Sequence, residues 1–188
     1  GDVGEAAKVS QEAMKLLNGV LRRRPDSSVA AARKAAQLGL QAGLLRDQGK
    51  AEEALAAFEQ GIQLLERQGP GREPITDYRL ALLWWQKARM LGYDGKRREE
   101  IMLLGKARDT LRELETKGGD DGIRPEELQR SNAYLLGDYA HALELAEKKD
   151  EARAIYREAV LLWERLVTSR PQSEEYREGL EWISQRTG

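Results

Sequence analysis

The chain has 188 residues, 40% of them hydrophobic, which suffices for a folded core and excludes an intrinsically disordered chain. Lys and Arg number 31 against 32 Asp and Glu, a mixed-sign balance that suits long solvated helix faces and argues against a nucleic-acid binder or a polybasic membrane anchor. The absence of cysteine excludes a disulfide framework, a thiolate zinc site and a cysteine nucleophile.

Apolar residues recur at spacings of three and four, β-branched residues are scarce, and nothing alternates with period two. Strong helix formers fill the stretches between a few breaks. In chain order, a first helix over 4–24 closes at Arg24-Pro25-Asp26-Ser27. A second, 28–47, and a third, 50–68, are parted by Gln48-Gly49-Lys50. After Gln68 to Pro74 a fourth helix runs over 74–93, and Asp94-Gly95-Lys96 separates it from a fifth over 96–117. The loop from Lys117 to Arg124 precedes a sixth helix over 125–147. A seventh covers 150–170 and an eighth 173–186, with Arg170-Pro171-Gln172-Ser173 between them. Proline lacks the N–H that a helix interior needs, and glycine takes the left-handed cap, so each break has a physical cause. Pro74 and Pro125 stand where a first-turn proline belongs, and Ser173 reads as an N-cap. The longest apolar run, Leu80 to Trp85, falls far short of the roughly 20 residues of a membrane span, so no membrane insertion is expected. No signal peptide is visible, and the sequence leaves cytoplasm and periplasm both open.

The helices repeat in pairs. Leu38, Ala42, Leu45, Gly49, Ala54, Phe58 and Gly61 are spaced 4, 3, 4, 5, 4, 3. The same ladder fits Trp84, Ala88, Leu91, Gly95, Glu100, Leu104 and Ala107, and again Leu136, Ala140, Leu143, Glu147, Ala152, Tyr156 and Ala159. Small residues let paired helices approach, large ones fill the gaps, and the middle rung is the turn between them. One such pair cannot bury its apolar face alone, so pairs stack. Arg-Pro-x-Ser closes both the first and the seventh helix, and superposing the two sets Ala6 and Ala13 against Ala152 and Ala159. The chain therefore reads as one repeat domain over 1–188: half a unit over 4–24, units over 28–68, 74–117 and 125–170, and half a unit over 173–186.

These ladders resemble the tetratricopeptide repeat, most clearly over Ala140 to Pro171. The stretch Asp150 to Ala159 is also similar to repeats in multi-domain bacterial signalling proteins, including those with a Ser/Thr kinase domain. The resemblance implies a right-handed superhelix of about eight antiparallel helices that binds a protein or peptide on its concave face. Three departures stand out. Leu38 to Trp84 spans 46 residues and Trp84 to Leu136 spans 52, against the family's usual length of about thirty-four. Glu100 occupies a small-residue position, and Glu147 occupies a turn-glycine position.

The chemistry of an enzyme is not written in this sequence. His141 and Glu144 form one helical His-x-x-Glu pair, too few ligands for a metal site, so no metal or cofactor is expected. Asp120-Asp121 lacks the alternating ligands of a calcium loop and reads as a solvated connector. Gly69-Pro70-Gly71-Arg72 has no phosphate-loop lysine. Arg22-Arg23-Arg24 and Lys96-Arg97-Arg98 are basic clusters in a chain of near-zero net charge, and no nucleic-acid contact is expected.

The adjacent Trp84 and Trp85 point about 100° apart on one helix. The ladder assigns Trp84 to packing between paired helices. Trp85 then faces either the inner groove, on a stripe with Arg89 and Gly92, or a neighbouring helix. The family resemblance places the groove on the first helix of each unit: Gly39, Gly43 and Arg46, then Trp85 and Arg89 with Tyr93 extending the aromatic floor, then Gly137, His141 and Glu144. Gly39 and Gly43 would leave room for a ligand, and Arg46 and Arg89 would meet carboxylates on it. The alternative reading is self-association through the terminal helices. There Val9 and Leu16 at one end, with Trp182 and Ile183 at the other, would lack a covering neighbour.

Overall fold

The computed structural model describes residues 3–69, 71–118 and 122–187; Asp120-Asp121, Pro70 and the side chain of Ala6 fall outside the described residues. The chain is all-α. Among the described residues it forms α1 (Val3–Arg23), α2 (Ser28–Asp47), α3 (Ala51–Glu66), α4 (Pro74–Tyr93), α5 (Arg97–Lys117), α6 (Pro125–Leu145), α7 (Lys149–Ser169) and α8 (Glu174–Ser184). Each lies within two residues of the span read from the sequence. The chain packs as two compact units, 1–86 and 87–188, whose division falls inside α4.

In the first unit α2 packs against both α1 and α3. The alanine-rich face of α2, with Ala31, Ala35 and Ala42 fully buried, admits the neighbouring helices closely. Opposite it, Ala54, Phe58, Ile62 and Leu65 supply the buried face of α3. Gly61 of α3 lets α4 approach, because a Cβ there would come within 2.9 Å of Leu83 Cδ1.

In the second unit α6 packs between α5 and α7, and α8 closes over α7. The core joins Leu136, Ala140 and Leu143 of α6 with Ala152, Tyr156, Ala159, Trp163 and Leu166 of α7 and with Tyr176 and Ile183 of α8. Burying a large aliphatic or aromatic side chain contributes roughly 1.5–3 kcal/mol, so this face carries most of the local stability. Arg108 of α5 reaches Glu158 of α7 at 2.7 Å, tying helices that flank α6.

The ladder read from the sequence is a ladder of burial. Ala54, Ala88, Ala140, Ala152 and Ala159 are all buried, as are Leu38, Leu91, Leu104, Leu136, Leu143, Phe58 and Tyr156. Apart from the exposed turn rungs Gly49, Gly95 and Glu147, Trp84 and Leu45 are the exceptions, both only half-buried.

The three turns are alike in detail. Gly49, Gly95 and Glu147 have φ of 76°, 74° and 61°. Each is followed by a lysine whose N–H reaches back to a carbonyl of the previous helix: Lys50 to Leu45 at 2.9 Å, Lys96 to Leu91 at 2.9 Å and Lys148 to Leu143 at 3.0 Å. That is the left-handed closure which satisfies the last free carbonyls of a helix. The same lysine carbonyls then accept from Ala54, Glu100 and Ala152, opening the next helix. Glu147 holds the turn conformation without being glycine.

The Arg-Pro-x-Ser junctions also match. Ser27 Oγ accepts from Ala30 N at 3.3 Å and Ser173 Oγ from Tyr176 N at 3.4 Å, both as N-caps. Ser27 N donates to Arg24 O and Ser173 N to Arg170 O, so the backbone folds back the same way at each.

Candidate functional site

The site is a groove of about 700 Å³ in the second unit, lined by one face of α6 and one of α8 with Trp163 of α7 as its floor. Two glycines shape it. A Cβ at Gly179 would come within 2.7 Å of the Trp163 ring, so α8 crosses directly over the indole. A Cβ at Gly137 would meet the Trp182 ring at 3.2 Å. Trp163 is locked between Tyr134, edge-on at 4.8 Å, and Tyr176, tilted at 6.2 Å. The Tyr176 hydroxyl in turn donates to Glu126 of α6, which Arg170 also contacts at 2.5 Å. Trp163 is therefore fixed and buried beneath α8, and the aromatic surface open to the groove is that of Tyr134 and Trp182.

The rim is acidic. Asp138 comes from α6 and Glu174, Glu175 and Glu178 from α8. Glu174 and Glu178 stand one turn apart, as do Glu178 and Trp182, so α8 offers carboxylates and an indole along one edge. Glu175 is held by the Tyr134 hydroxyl at 3.1 Å and by Arg130 at 3.5 Å, and Asp138 lies 3.6 Å from Arg89. Neither Glu174 nor Glu178 has a cationic partner among the described residues. Burial, followed by the neighbouring Glu175 carboxylate, pushes the Tyr134 phenol up to about 12. Trp182 is 44% exposed, and the guanidinium of Arg186 lies 3.8 Å from its ring centroid.

The residues nominated from the sequence are distributed unevenly. In the second unit, Gly137 lines the groove and Arg89 touches its rim through Asp138. His141 and Glu144 pair loosely at 3.8 Å, and Glu144 accepts from the Tyr156 hydroxyl of α7 at 3.2 Å; neither lines the groove. Tyr93 is 78% exposed and forms no part of the floor. Gly92, expected beside Trp85 on an inward stripe, instead faces the Glu100 carboxylate of α5.

In the first unit, Gly39 leaves no gap for a ligand. A Cβ there would meet Leu83 Cδ2 at 2.9 Å and Gln86 Oε1 at 3.2 Å, because α4 fills the space that the missing side chain vacates. Gly43 has open space around it, and Arg46 pairs with its neighbour Asp47 at 2.8 Å. Trp84 and Trp85 are both half-buried, so burial does not divide them into a packing ring and a free one.

At the ends, Val9 and Leu16 are 62% and 72% exposed, as the sequence suggests. Ile183 is the correction: it is fully buried in the α6–α7–α8 core, since α8 turns this face inward. Matching the capping serines aligns α8 with α2. Where α2 buries Ala31, Ala35 and Leu38, α8 exposes Arg177, Glu181 and Ser184. The outer face of α8 is thus polar.

Sequence reasoning missed the groove because it treated the eighth helix only as an uncovered end. The signal was present: Glu174, Glu178 and Trp182 recur at four-residue spacing.

No family model matches the sequence. No curated protein matches it. Among solved structures, the chain is similar to one titled "DHF119 filament", at 18% identity and a TM-score of 0.36, covering 98% of this chain and 94% of that one.

Proposed function

We propose that the chain is a non-catalytic protein-interaction module that takes a segment of a partner protein in the α6–α8 groove. The observation that carries this reading is the groove itself: a preformed cleft of about 700 Å³ with Tyr134 and Trp182 partly exposed along it and the buried Trp163 fixed beneath them. Concave, aromatic-lined clefts with a few polar groups are the usual form of a binding site, and tryptophan and tyrosine dominate the energy of interfaces. The tetratricopeptide resemblance supports the same assignment, because there too the first helix of each unit provides the binding face.

The test is a random-peptide selection on the intact chain, followed by affinities for the Trp182→Ala variant. Loss of a central aromatic anchor costs about 2 kcal/mol or more, roughly thirtyfold in affinity. Trp182 is exposed enough that circular dichroism should show an unchanged fold. Selected peptides that bind Trp182→Ala as tightly as the parent would remove the groove from consideration.

Self-association is the second reading, and the exposed Val9 and Leu16 of α1 favour it. The polar outer face of α8 offers no apolar counterpart. Sedimentation of the parent and of Leu16→Glu over a concentration series separates the two readings. A monomer at every concentration removes self-association.

A further inference from the structure

We infer that the α6–α8 groove takes a peptide segment bearing arginine or lysine side chains. This rests on the groove being a docking site, and it names the chemistry of the occupant. Four carboxylates line the cleft, from Asp138, Glu174, Glu175 and Glu178, and no lysine or arginine lines it. Three arginines reach the rim: Arg130 engages Glu175, Arg89 engages Asp138, and Arg186 stacks on Trp182. They leave the other two carboxylates unmatched. Glu174 and Glu178 therefore set a negative potential along the edge of the groove.

The aromatic groups fit the same ligand. An indole face attracts a cation, most strongly when the cation is a guanidinium. The chain already shows this contact in miniature. Arg186 lays its guanidinium over the Trp182 ring and donates to the Trp182 carbonyl at 2.9 Å. An incoming arginine would lay its aliphatic stem along the exposed parts of Tyr134 and Trp182, with its head toward Glu174 or Glu178. An acidic segment would meet the two unmatched like charges of Glu174 and Glu178 there. The expectation from the sequence, a carboxylate-bearing partner held by Arg46 and Arg89, is thus replaced by its electrostatic opposite at this groove.

The probes are three amidated peptides of equal length, alternating alanine with arginine, with lysine or with glutamate, and a fourth of alanine and leucine. They are titrated into the uniformly 15N-labelled full chain, with the indole signals of Trp163 and Trp182 and the α8 amides as readout. Arginine and lysine peptides should shift these signals saturably, more weakly as salt rises, and the glutamate peptide should not. Glu174→Gln combined with Glu178→Gln should weaken the arginine peptide about tenfold. Glu181→Gln, on the same helix but outside the groove, should leave its affinity unchanged.

Equal shifts from the glutamate or alanine–leucine peptide would overturn the cationic assignment while leaving the groove as a docking site. So would a loss from Glu181→Gln equal to that from the combined Glu174→Gln and Glu178→Gln variant. Shifts that map away from α6 and α8 would overturn both. Concentration-dependent shifts of the same signals without any peptide would give the groove to a second copy of this chain and overturn the proposal.

Discussion

The carboxylate of Glu100 lies in the space that a side chain at residue 92 would occupy, so Gly92 and Glu100 are one structural unit. The repeat ladder puts a small residue at position 100, as at Ala54 and Ala152. This unit carries a glutamate there instead, and the preceding helix gives up its own side chain to accommodate it. Arg97, one turn earlier on α5, pairs with the buried carboxylate. The departure from the repeat pattern is therefore compensated twice, by shape and by charge.

A pH dependence follows. Burial, opposed by Arg97, raises Glu100 above the ordinary glutamate value, and burial opposed by Asn132 raises Glu115 likewise. The folded chain then holds these protons more tightly than the unfolded chain does. Their contribution is most favourable below the ordinary value and is lost as pH rises through the raised ones. Melting temperatures between about pH 4 and about pH 7 should fall less steeply for Glu100→Gln combined with Glu115→Gln than for the parent. Parallel curves would show that neither group is raised.

Glu147 holds a left-handed turn at a cost of roughly 1–2 kcal/mol that its glycine counterparts avoid. Glu147→Gly should recover about 1 kcal/mol, offset in part by the extra freedom of an unfolded glycine. Gly49→Ala and Gly95→Ala, at matching φ, should each lose about 1 kcal/mol or more. Urea denaturation of the three variants measures all of this. A destabilised Glu147→Gly would mean that the glutamate side chain has an offsetting role at the turn.

At Gly179 the Trp163 ring cannot step aside, since Tyr134 and Tyr176 hold it from two directions. Gly179→Ala should cost roughly 1–3 kcal/mol and change the near-ultraviolet dichroism of the buried indole. An unaltered spectrum with parental stability would show that α8 lies further from Trp163 than described.

Ala152 sits in the core where α7 meets α6, with almost no exposed surface. Ala152→Leu should overpack this contact and lower stability by roughly 1–3 kcal/mol. An unchanged melting temperature would count strongly against the register of the α6–α7 pair.

The helices and their pairing were legible because local rules and tertiary packing agree. Ala42, Ala88 and Ala140 hold the second rung of the ladder and Ala54 and Ala152 the fifth, and all five are buried at helix contacts. The serine caps and glycine turns signal themselves by residue type. Gly39 was misleading: a missing side chain reads equally well as room for a ligand or as room for a neighbouring helix, and Leu83 occupies it. The groove was hidden because it needs Trp163 from α7 below two glycines on other helices. No spacing within a single helix encodes that arrangement. Ile183 was misplaced because an apolar pair near a helix end gives no sign of which member turns inward.

Within each unit the helices pack on their neighbours in sequence, α1 on α2, α2 on α3, α5 on α6, α6 on α7 and α7 on α8. Few chain segments must therefore find each other across long loops, and the search that slows sheet proteins is largely absent. The three matching turns bring each pair together at little entropic cost. Such a chain should fold quickly, and it should melt from its margins inward, helix by helix. Native-state hydrogen exchange should show α1 opening at much lower free energy than α6 and α7. Identical protection along the whole chain would mark a single cooperative block instead.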